Sequence, residues 1–147
     1  MSRSGRFGSV AAALTTVALS ATFAAALQSA TALPAHADGG LSCNYVIVAS
    51  WPAGYSADLT IINNSGNAIN GWTAFWNFQH ATAVTNTWSG SITQGTPFDA
   101  TGSNMSWNAM LPPGSATTFG WIATAAVPDV PDVVTVNGTR CPVNGRS

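Results

Sequence analysis

Two segments of the chain alternate apolar and polar residues with a period of two. In residues 55–61 every second residue is apolar and the residues between are polar, and residues 72–78 place two tryptophans, Trp72 and Trp76, in the same alternation. Successive side chains of a β-strand point to opposite faces of its sheet, so this pattern predicts strands with one buried face. We therefore expect Trp72 and Trp76 in the hydrophobic core.

Further short runs extend this prediction along the chain. No segment after residue 38 shows a convincing helical period, and clusters of Gly, Pro, Asn and Ser separate the runs as turns do. Many short strands joined by turns predict an all-β domain built as a β-sandwich or a barrel. The additional predicted strands are residues 44–49, 84–92, 96–101, 104–107, 116–123 and 133–136.

The start of the chain has the layout of a secretory signal peptide. Two arginines precede an uncharged and mostly apolar run, and the small residues at 35–37 offer a cleavage site before Asp38. A membrane anchor is the alternative, because the run is nearly long enough to span a bilayer. Its many Ala, Ser and Thr residues make it only weakly apolar, which favours cleavage. We expect residues 1–37 to be a signal peptide and 38–147 to be one secreted, extracellular domain.

The expected mature domain is weakly acidic. It contains two arginines and five aspartates, with no lysine or glutamate, for a formal charge of −3. Nucleic acids and anionic membranes are bound through clustered Lys and Arg, so we expect neither as a partner after signal cleavage. A neutral partner is favoured instead.

Only two cysteines occur in the chain, Cys43 and Cys141, and they stand near the two ends of the mature domain. Export would place them in an oxidising compartment, where a disulfide is stable. A metal or redox pair is the weaker alternative, because the chain has no Cys-x-x-Cys spacing. We expect one disulfide that ties the ends together, and we expect no metal or cofactor.

Three tryptophans stand in polar, turn-forming stretches where a core residue is not expected. They are Trp51 in SWPAGY, Trp88 in TNTWSGS and Trp107 in NMSWNAMLPPG. Several exposed aromatic rings form an adhesive patch that a soluble monomer carries only to bind a partner. Sugar rings stack on aromatic faces, so we infer that a monomeric domain binds a polysaccharide through these three residues.

The chain also carries Trp, Gly, Asn and Cys motifs in a distinctive order. After Cys43 come SWPAGY, YSADLTI with Asn63-Asn64, GWTAFW, TNTWSG, SWNAMLPPGSATTFGW and finally NGTRC. In order and spacing these motifs resemble a family 2 carbohydrate-binding module from about Cys43 to Cys141. That family is an antiparallel β-sandwich with a terminal disulfide, of jelly-roll or immunoglobulin-like form. It occurs mostly beside catalytic domains of bacterial plant-cell-wall hydrolases, whereas we expect no catalytic domain in this chain.

The resemblance also implies a ligand. The cellulose-binding branch presents three coplanar tryptophans, which match Trp51, Trp88 and Trp107. In the xylan-binding branch an arginine follows the first of these rings by three residues and the third ring is usually missing. Here Gly54 stands at the arginine position and all three tryptophans are present. Crystalline cellulose is therefore favoured, chitin is the second choice because its ribbon offers similar faces, and xylan follows.

Three polar residues near the tryptophans are candidates for hydrogen bonds to sugar hydroxyls. Asn86 precedes Trp88 by two residues and should share its face, Asp58 should point outward from its strand, and Asn108 follows Trp107. A solvated surface position or a turn is the commoner role for such residues. Both interpretations stay open at this point.

Catalysis is the alternative of a different class. A glycosidase needs two carboxylates flanking the scissile bond. The candidate pair, Asp129 and Asp132, lies in a Pro-rich loop with no motif around it, so we interpret both as solvated loop residues. Ser-His-Asp catalysis would require His80, but the chain has no Gly-x-Ser-x-Gly motif for a nucleophilic serine. We therefore interpret His80 as a surface turn residue. A copper oxygenase would need cleavage before His36, with His80 as the second ligand, whereas the Ala-His-Ala pattern favours cleavage after Ala37. We expect a binding protein rather than an enzyme, with a scaffold or adhesin as the remaining alternative.

Overall fold

The alternating segments form β-strands. The computed structural model describes residues 40–144, and within that range it contains twelve strands and no helix, hence no helix able to cross a membrane. The predicted all-β fold is confirmed, while the predicted signal peptide at 1–37 lies outside the described residues. The strands are β1 (Leu41–Trp51), β2 (Gly54–Asn63), β3 (Ile69–Asn70), β4 (Thr73–Asn77), β5 (Thr82–Trp88), β6 (Ser91–Thr93), β7 (Asp99–Ser103), β8 (Met110–Leu111), β9 (Ala116–Ala125), β10 (Val134–Val136), β11 (Thr139–Cys141) and β12 (Val143–Asn144).

The strands assemble into two five-stranded sheets. The first sheet has the order β12-β1-β2-β9-β5, the second has the order β11-β10-β4-β7-β6, and β3 pairs with β8 apart from both. Neighbouring strands are antiparallel, with the exception of the short parallel pair of β1 and β12. The predicted antiparallel sandwich is thereby confirmed.

Aromatic rings from both sheets meet in the core. Trp76 of β4 stacks on Trp121 of β9, and Trp72, just before β4, stacks on Phe119, with ring centroids 5.0 Å apart in both pairs. All four residues are at most 1% exposed, as predicted for Trp72 and Trp76. Such ring pairs add about 0.5–1.5 kcal/mol each beyond the area that they bury. They hold the two sheets face to face.

One disulfide links the sheets at the two ends of the domain. Cys43 lies in β1 and Cys141 in β11, with their Cα atoms 5.6 Å apart. β12 then returns the chain to the first sheet, where Val143 pairs with Cys43. The predicted bond between Cys43 and Cys141 is confirmed.

The loop before β10 is held by a buried aspartate. Asp129 is 4% exposed, and its carboxylate accepts a hydrogen bond of 2.7 Å from the backbone N–H of His80. Its main-chain carbonyl accepts a 2.6 Å bond from the Tyr45 hydroxyl, and burial raises the pKa of this phenol, so it stays neutral. The prediction of a solvated Asp129 is therefore wrong. The His80 side chain is 57% exposed at the surface, as predicted.

One predicted strand, at residues 104–107, is a turn. The Oδ1 atom of Asn108 accepts a hydrogen bond from the backbone N–H of Met105, and Asn104 Oδ1 accepts one from Trp72. Asparagine side chains that bind backbone N–H groups compete with the hydrogen bonds of a sheet. The side chains of Asn104 and Asn108 therefore stabilise a turn in a segment whose pattern predicted a strand.

Two other predicted strands have different limits. The segment 84–92 breaks at Ser89, whose φ of 59° lies in the left-handed region, and the chain passes from β5 in the first sheet to β6 in the second. The segment 96–101 becomes a strand only at Asp99. The carboxylate of Asp99 accepts hydrogen bonds from the Gly95 N–H and the Thr96 hydroxyl, which closes a turn before β7.

Loss of the disulfide should destabilise the domain without changing its fold. Cys43 and Cys141 are 98 residues apart, so opening the loop should lower the free energy of unfolding by about 4 to 5 kcal/mol. Urea denaturation of the Cys43→Ala/Cys141→Ala variant measures this loss, and the reduced wild type is the control for lost packing. A loss below about 1 kcal/mol in both proteins would contradict the entropic role given to the bond.

Candidate functional site

A β-bulge in β1 turns Trp51 away from the core. Ile47 pairs with buried Ala57 and faces inward, and strict alternation would give Trp51, four residues later, the same direction. The register shifts between Ile47 and Ala49, so Val48 is an extra residue in the ladder. One extra residue reverses the alternation. Trp51 consequently ends β1 on the outer face of the first sheet, 45% exposed.

A second β-bulge, in β5, has the same effect on Trp88. Val84 pairs with buried Ala123 and faces inward, and the register shifts between Val84 and Asn86, which leaves Thr85 as the extra residue. Trp88, four residues after Val84, therefore also faces outward and is 38% exposed. Asn86 shares that face, as predicted from the spacing. Two edge segments of one sheet thus end in an outward-facing tryptophan.

Each of these two rings covers a glycine on the neighbouring strand. Trp51 pairs with Gly54, and Trp88 pairs with Gly120. A Cβ atom at Gly54 would lie 2.9 Å from Trp51 Nε1, and one at Gly120 would lie 2.5 Å from Trp88 Cε2 and Cζ2. The missing side chains leave room for both indoles to lie close to the sheet. Gly54 pairs with Thr124 and Trp88 pairs with Gly120, so the two glycine positions are offset by four residues, about 13 Å, in the direction of the strands.

The turn that carries Trp107 is joined by a hydrogen bond to the end of β5. Trp107 stands in the turn between β7 and β8 and is 68% exposed. The amide of the following residue, Asn108, donates a 2.7 Å hydrogen bond to the carbonyl of Ser89, the residue after Trp88. The three predicted tryptophans are therefore exposed, and we call them together the tryptophan face. Among the close ring contacts of residues 40–144, none joins two of these three rings.

Asn108 supports the turn instead of reaching the surface. It is 8% exposed, and its side chain binds both Met105 N–H and the Ser89 carbonyl. Both polar ends of the amide are thus engaged inside the protein. The interpretation of Asn108 as a sugar-binding residue is corrected to that of a residue that positions the Trp107 turn.

The two other polar candidates do lie beside the rings. Asn86 is exposed, and its Oδ1 accepts only a local bond of 3.1 Å from the N–H of Thr87. Asp58 pairs with Gly120, so it shares the outer face with Trp88. The Oδ1 atom of Asp58 is buried and has no hydrogen-bond partner within the described residues.

Three clefts in the surface of the domain lie away from the tryptophan face. A cleft of about 250 Å³ lies between Thr82 and Pro97, and none of the three tryptophans lines it or the smaller clefts of about 170 and 220 Å³. Within residues 40–144 no group of three His, Cys, Asp or Glu side chains could hold a metal ion. His36, the residue that a copper site would require, lies outside this range.

Comparison with known proteins identifies the domain. The profile of the cellulose binding domain family matches residues 41–141, which includes the whole tryptophan face and both cysteines. The chain belongs to this family. It is thus a family 2 carbohydrate-binding module.

The relatives of the module include large enzymes and isolated domains. Endoglucanase C of Cellvibrio japonicus is 35% identical over 101 residues, which are 67% of this chain but 13% of that enzyme. The chitin-binding domain of Chi18aC from Streptomyces coelicolor is 26% identical, with a TM-score of 0.60, covering 74% of this chain and 99% of that one. The cellulose-binding family 2 domain of ScLPMO10C is 30% identical, with a TM-score of 0.52, covering 63% and 89% respectively.

Two features of the site were missed by sequence reasoning. The bulges at Val48 and Thr85 were not predicted, although an inward apolar residue four positions before an exposed tryptophan is a usable signal for each. The role of Gly120 was missed as well, because its partner Trp88 is distant in the sequence. Gly54, which the sequence did single out, lies directly under Trp51.

Asn108→Ala should destabilise the module. The change removes two hydrogen bonds and leaves the N–H of Met105 without its partner, which should lower the free energy of unfolding by about 1–3 kcal/mol. The matched control, Asn86→Ala, truncates an exposed amide and should change stability by less than about 0.5 kcal/mol. Urea denaturation compares the two variants. Equal stability would contradict the supporting role of Asn108.

Proposed function

We propose that the module adsorbs to the surface of crystalline cellulose through Trp51, Trp88 and Trp107. The observation that carries this proposal is the paired arrangement of bulge and glycine in the first sheet. It turns Trp51 and Trp88 outward and lets each indole lie over a glycine instead of standing between side chains. With Trp107 on the turn that is joined to the end of β5, this gives an aromatic face suited to a flat ligand.

The chemistry of the ligand fits such a face. A β-linked glucan chain is a ribbon whose axial C–H bonds form apolar faces, with hydroxyls at its edges. Indoles attract these C–H faces by dispersion, by release of water and through the ring quadrupole. Several rings on one rigid support act as linked weak sites, so affinity rises without a deep pocket. An open face selects the surface of a crystal, whereas a cleft selects a free chain.

Gly54 supports cellulose over xylan. At this position the xylan-binding branch carries an arginine that changes the orientation of the first ring. A Cβ atom at Gly54 would lie 3.2 Å from Trp51 Cε2 and closer still to Nε1, so the present position of the indole depends on the glycine. Asn86 and Asp58, on either side of Trp88, are the proposed hydrogen-bonding partners of the sugar hydroxyls, and Asn108 is not among them.

Chitin is the second candidate ligand. Its acetylated ribbon presents apolar faces similar to those of cellulose, and the chitin-binding domain from Streptomyces coelicolor resembles this module with a TM-score of 0.60.

We propose further that residues 1–37 export the module, that it acts outside the cell as a monomer, and that it is not itself catalytic. In support of the last point, Asp58 and Asp99 lie on different sheets and Asp129 is buried, so within residues 40–144 these aspartates form no pair around one bond. The module would hold an enzyme or a cell near the polysaccharide.

Replacement of the three rings should abolish adsorption. Each Trp→Ala change should reduce the affinity for microcrystalline cellulose about tenfold, near 1.4 kcal/mol, and the Trp51→Ala/Trp88→Ala/Trp107→Ala variant should not bind. Depletion assays on cellulose, chitin and insoluble xylan measure this. The control variant Phe75→Ala/Phe98→Ala removes two other exposed rings, which are 42% and 49% exposed, and should bind normally. Binding by a folded triple variant would disprove the proposed face. If the wild type bound neither cellulose nor chitin nor xylan, the scaffold or adhesin alternative would be favoured.

A side chain at Gly54 should disturb the first ring. Gly54→Arg would displace the Trp51 indole and strain the sheet at the carbonyl of Ala123, so we expect at least about a tenfold loss of affinity for cellulose. The matched control is Gly66→Arg, because a Cβ atom at Gly66 meets nothing within 4 Å. The near-ultraviolet circular dichroism of each variant tests whether its core is intact. Unchanged binding by Gly54→Arg would count against the orientation argument.

A further inference from the structure

Within the described residues, the outer face of the first sheet carries a single charged side chain. Among the described residues Asp58 is the only ionisable group on the outer face of the first sheet. The other charged groups of the described residues lie in the second sheet and in the loops that flank it, namely His80, Asp99, Asp132, Arg140 and the buried Asp129. A ligand that stacks on Trp88 therefore meets one negative charge in otherwise neutral surroundings.

Asp58 lies directly against the indole of Trp88. Trp88 Cε2 and Cζ2 and Asp58 Oδ1 all lie within 2.5 Å of the point where Gly120 would carry a Cβ atom, so the carboxylate and the ring are close neighbours. Asp58 makes no ion pair in the described range, where the only such contact joins His80 and Asp129. Its Oδ1 atom is covered and unpaired, while the residue as a whole remains partly exposed.

A partly desolvated, unpaired carboxylate beside an aromatic ring suits a cation better than a neutral group. An ammonium group would form a hydrogen bond to the carboxylate in which both partners are charged, so a Coulomb attraction adds to the bond that a neutral hydroxyl could also make. The same ammonium would also be attracted by the indole of Trp88 if it lay within about 6 Å of the ring. Neutral cellulose offers neither contribution.

We propose that Asp58 gives the module a preference for β-1,4-linked polysaccharide that carries free amino groups, namely partly deacetylated chitin. This inference rests on the proposed stacking of sugar rings on the tryptophan face. A sugar stacked on Trp88 directs the substituents of its ring edge toward the neighbouring side chains, and Asp58 is one of them. A protonated 2-amino group at that edge then pairs with the carboxylate.

The test compares one chitin sample before and after chemical N-acetylation of its free amines. At about pH 6, where part of the amines are protonated, the wild type should bind the amine-bearing sample about fivefold more tightly than the acetylated one. Asp58→Asn keeps the shape of the side chain and should remove this preference. Raising the salt concentration to about 1 M should reduce the preference of the wild type, because salt screens the ion pair.

A matched variant separates a local effect from the charge of the whole protein. Asp132→Asn removes the same charge from the loop before β10 and should keep the preference. If the wild type binds both samples equally, or if Asp132→Asn loses the preference as fully as Asp58→Asn does, the inference is wrong. The proposed function would still stand in that case if the wild type bound both chitin samples and cellulose and if this binding depended on the three tryptophans. Loss of all binding to neutral polysaccharide would instead overturn the proposed function.

Discussion

The bulges at Val48 and Thr85 determine which face of the first sheet carries the tryptophans. In a strand with strict alternation, Trp51 and Trp88 would point into the sandwich with Ile47 and Val84. Such a core would hold two more indoles than it has space for, since protein interiors are close-packed. One extra residue in each edge segment therefore places both rings on the outer face and keeps the core intact. The glycines opposite the rings complete the arrangement by leaving the sheet surface free for the indoles.

The core supplies the rigidity that an open binding face requires. The stacked pairs Trp76 with Trp121 and Trp72 with Phe119 hold the two sheets together, and the disulfide closes the sandwich at the ends of the domain. Rings on a rigid sheet lose little conformational freedom on binding, so more of their contact energy appears as affinity. The six tryptophans thus divide into three that are buried in the sandwich and three that are exposed on its surface.

The sequence contained most of the fold and the three exposed rings, and the reasons are local. Alternation in 55–61 and 72–78 identified the strands, and the polar surroundings of Trp107 identified it as exposed. Asn108 and Asp129 were misjudged because their roles depend on distant partners, Ser89 for the first and Tyr45 with His80 for the second. The bulges were missed because register is a property of two strands together. The ending of β5 at Ser89 depended on a backbone conformation that few residues other than glycine adopt.

Oxidative footprinting of the adsorbed module tests the central claim most directly. N-bromosuccinimide oxidises accessible indoles, and mass spectrometry locates the modified residues in the free protein and in protein bound to microcrystalline cellulose. Trp51, Trp88 and Trp107 should react in solution and be protected on cellulose, while Trp72, Trp76 and Trp121 should be unreactive in both states. If the three exposed indoles stay fully reactive in the bound protein, the tryptophan face is not the surface that meets cellulose.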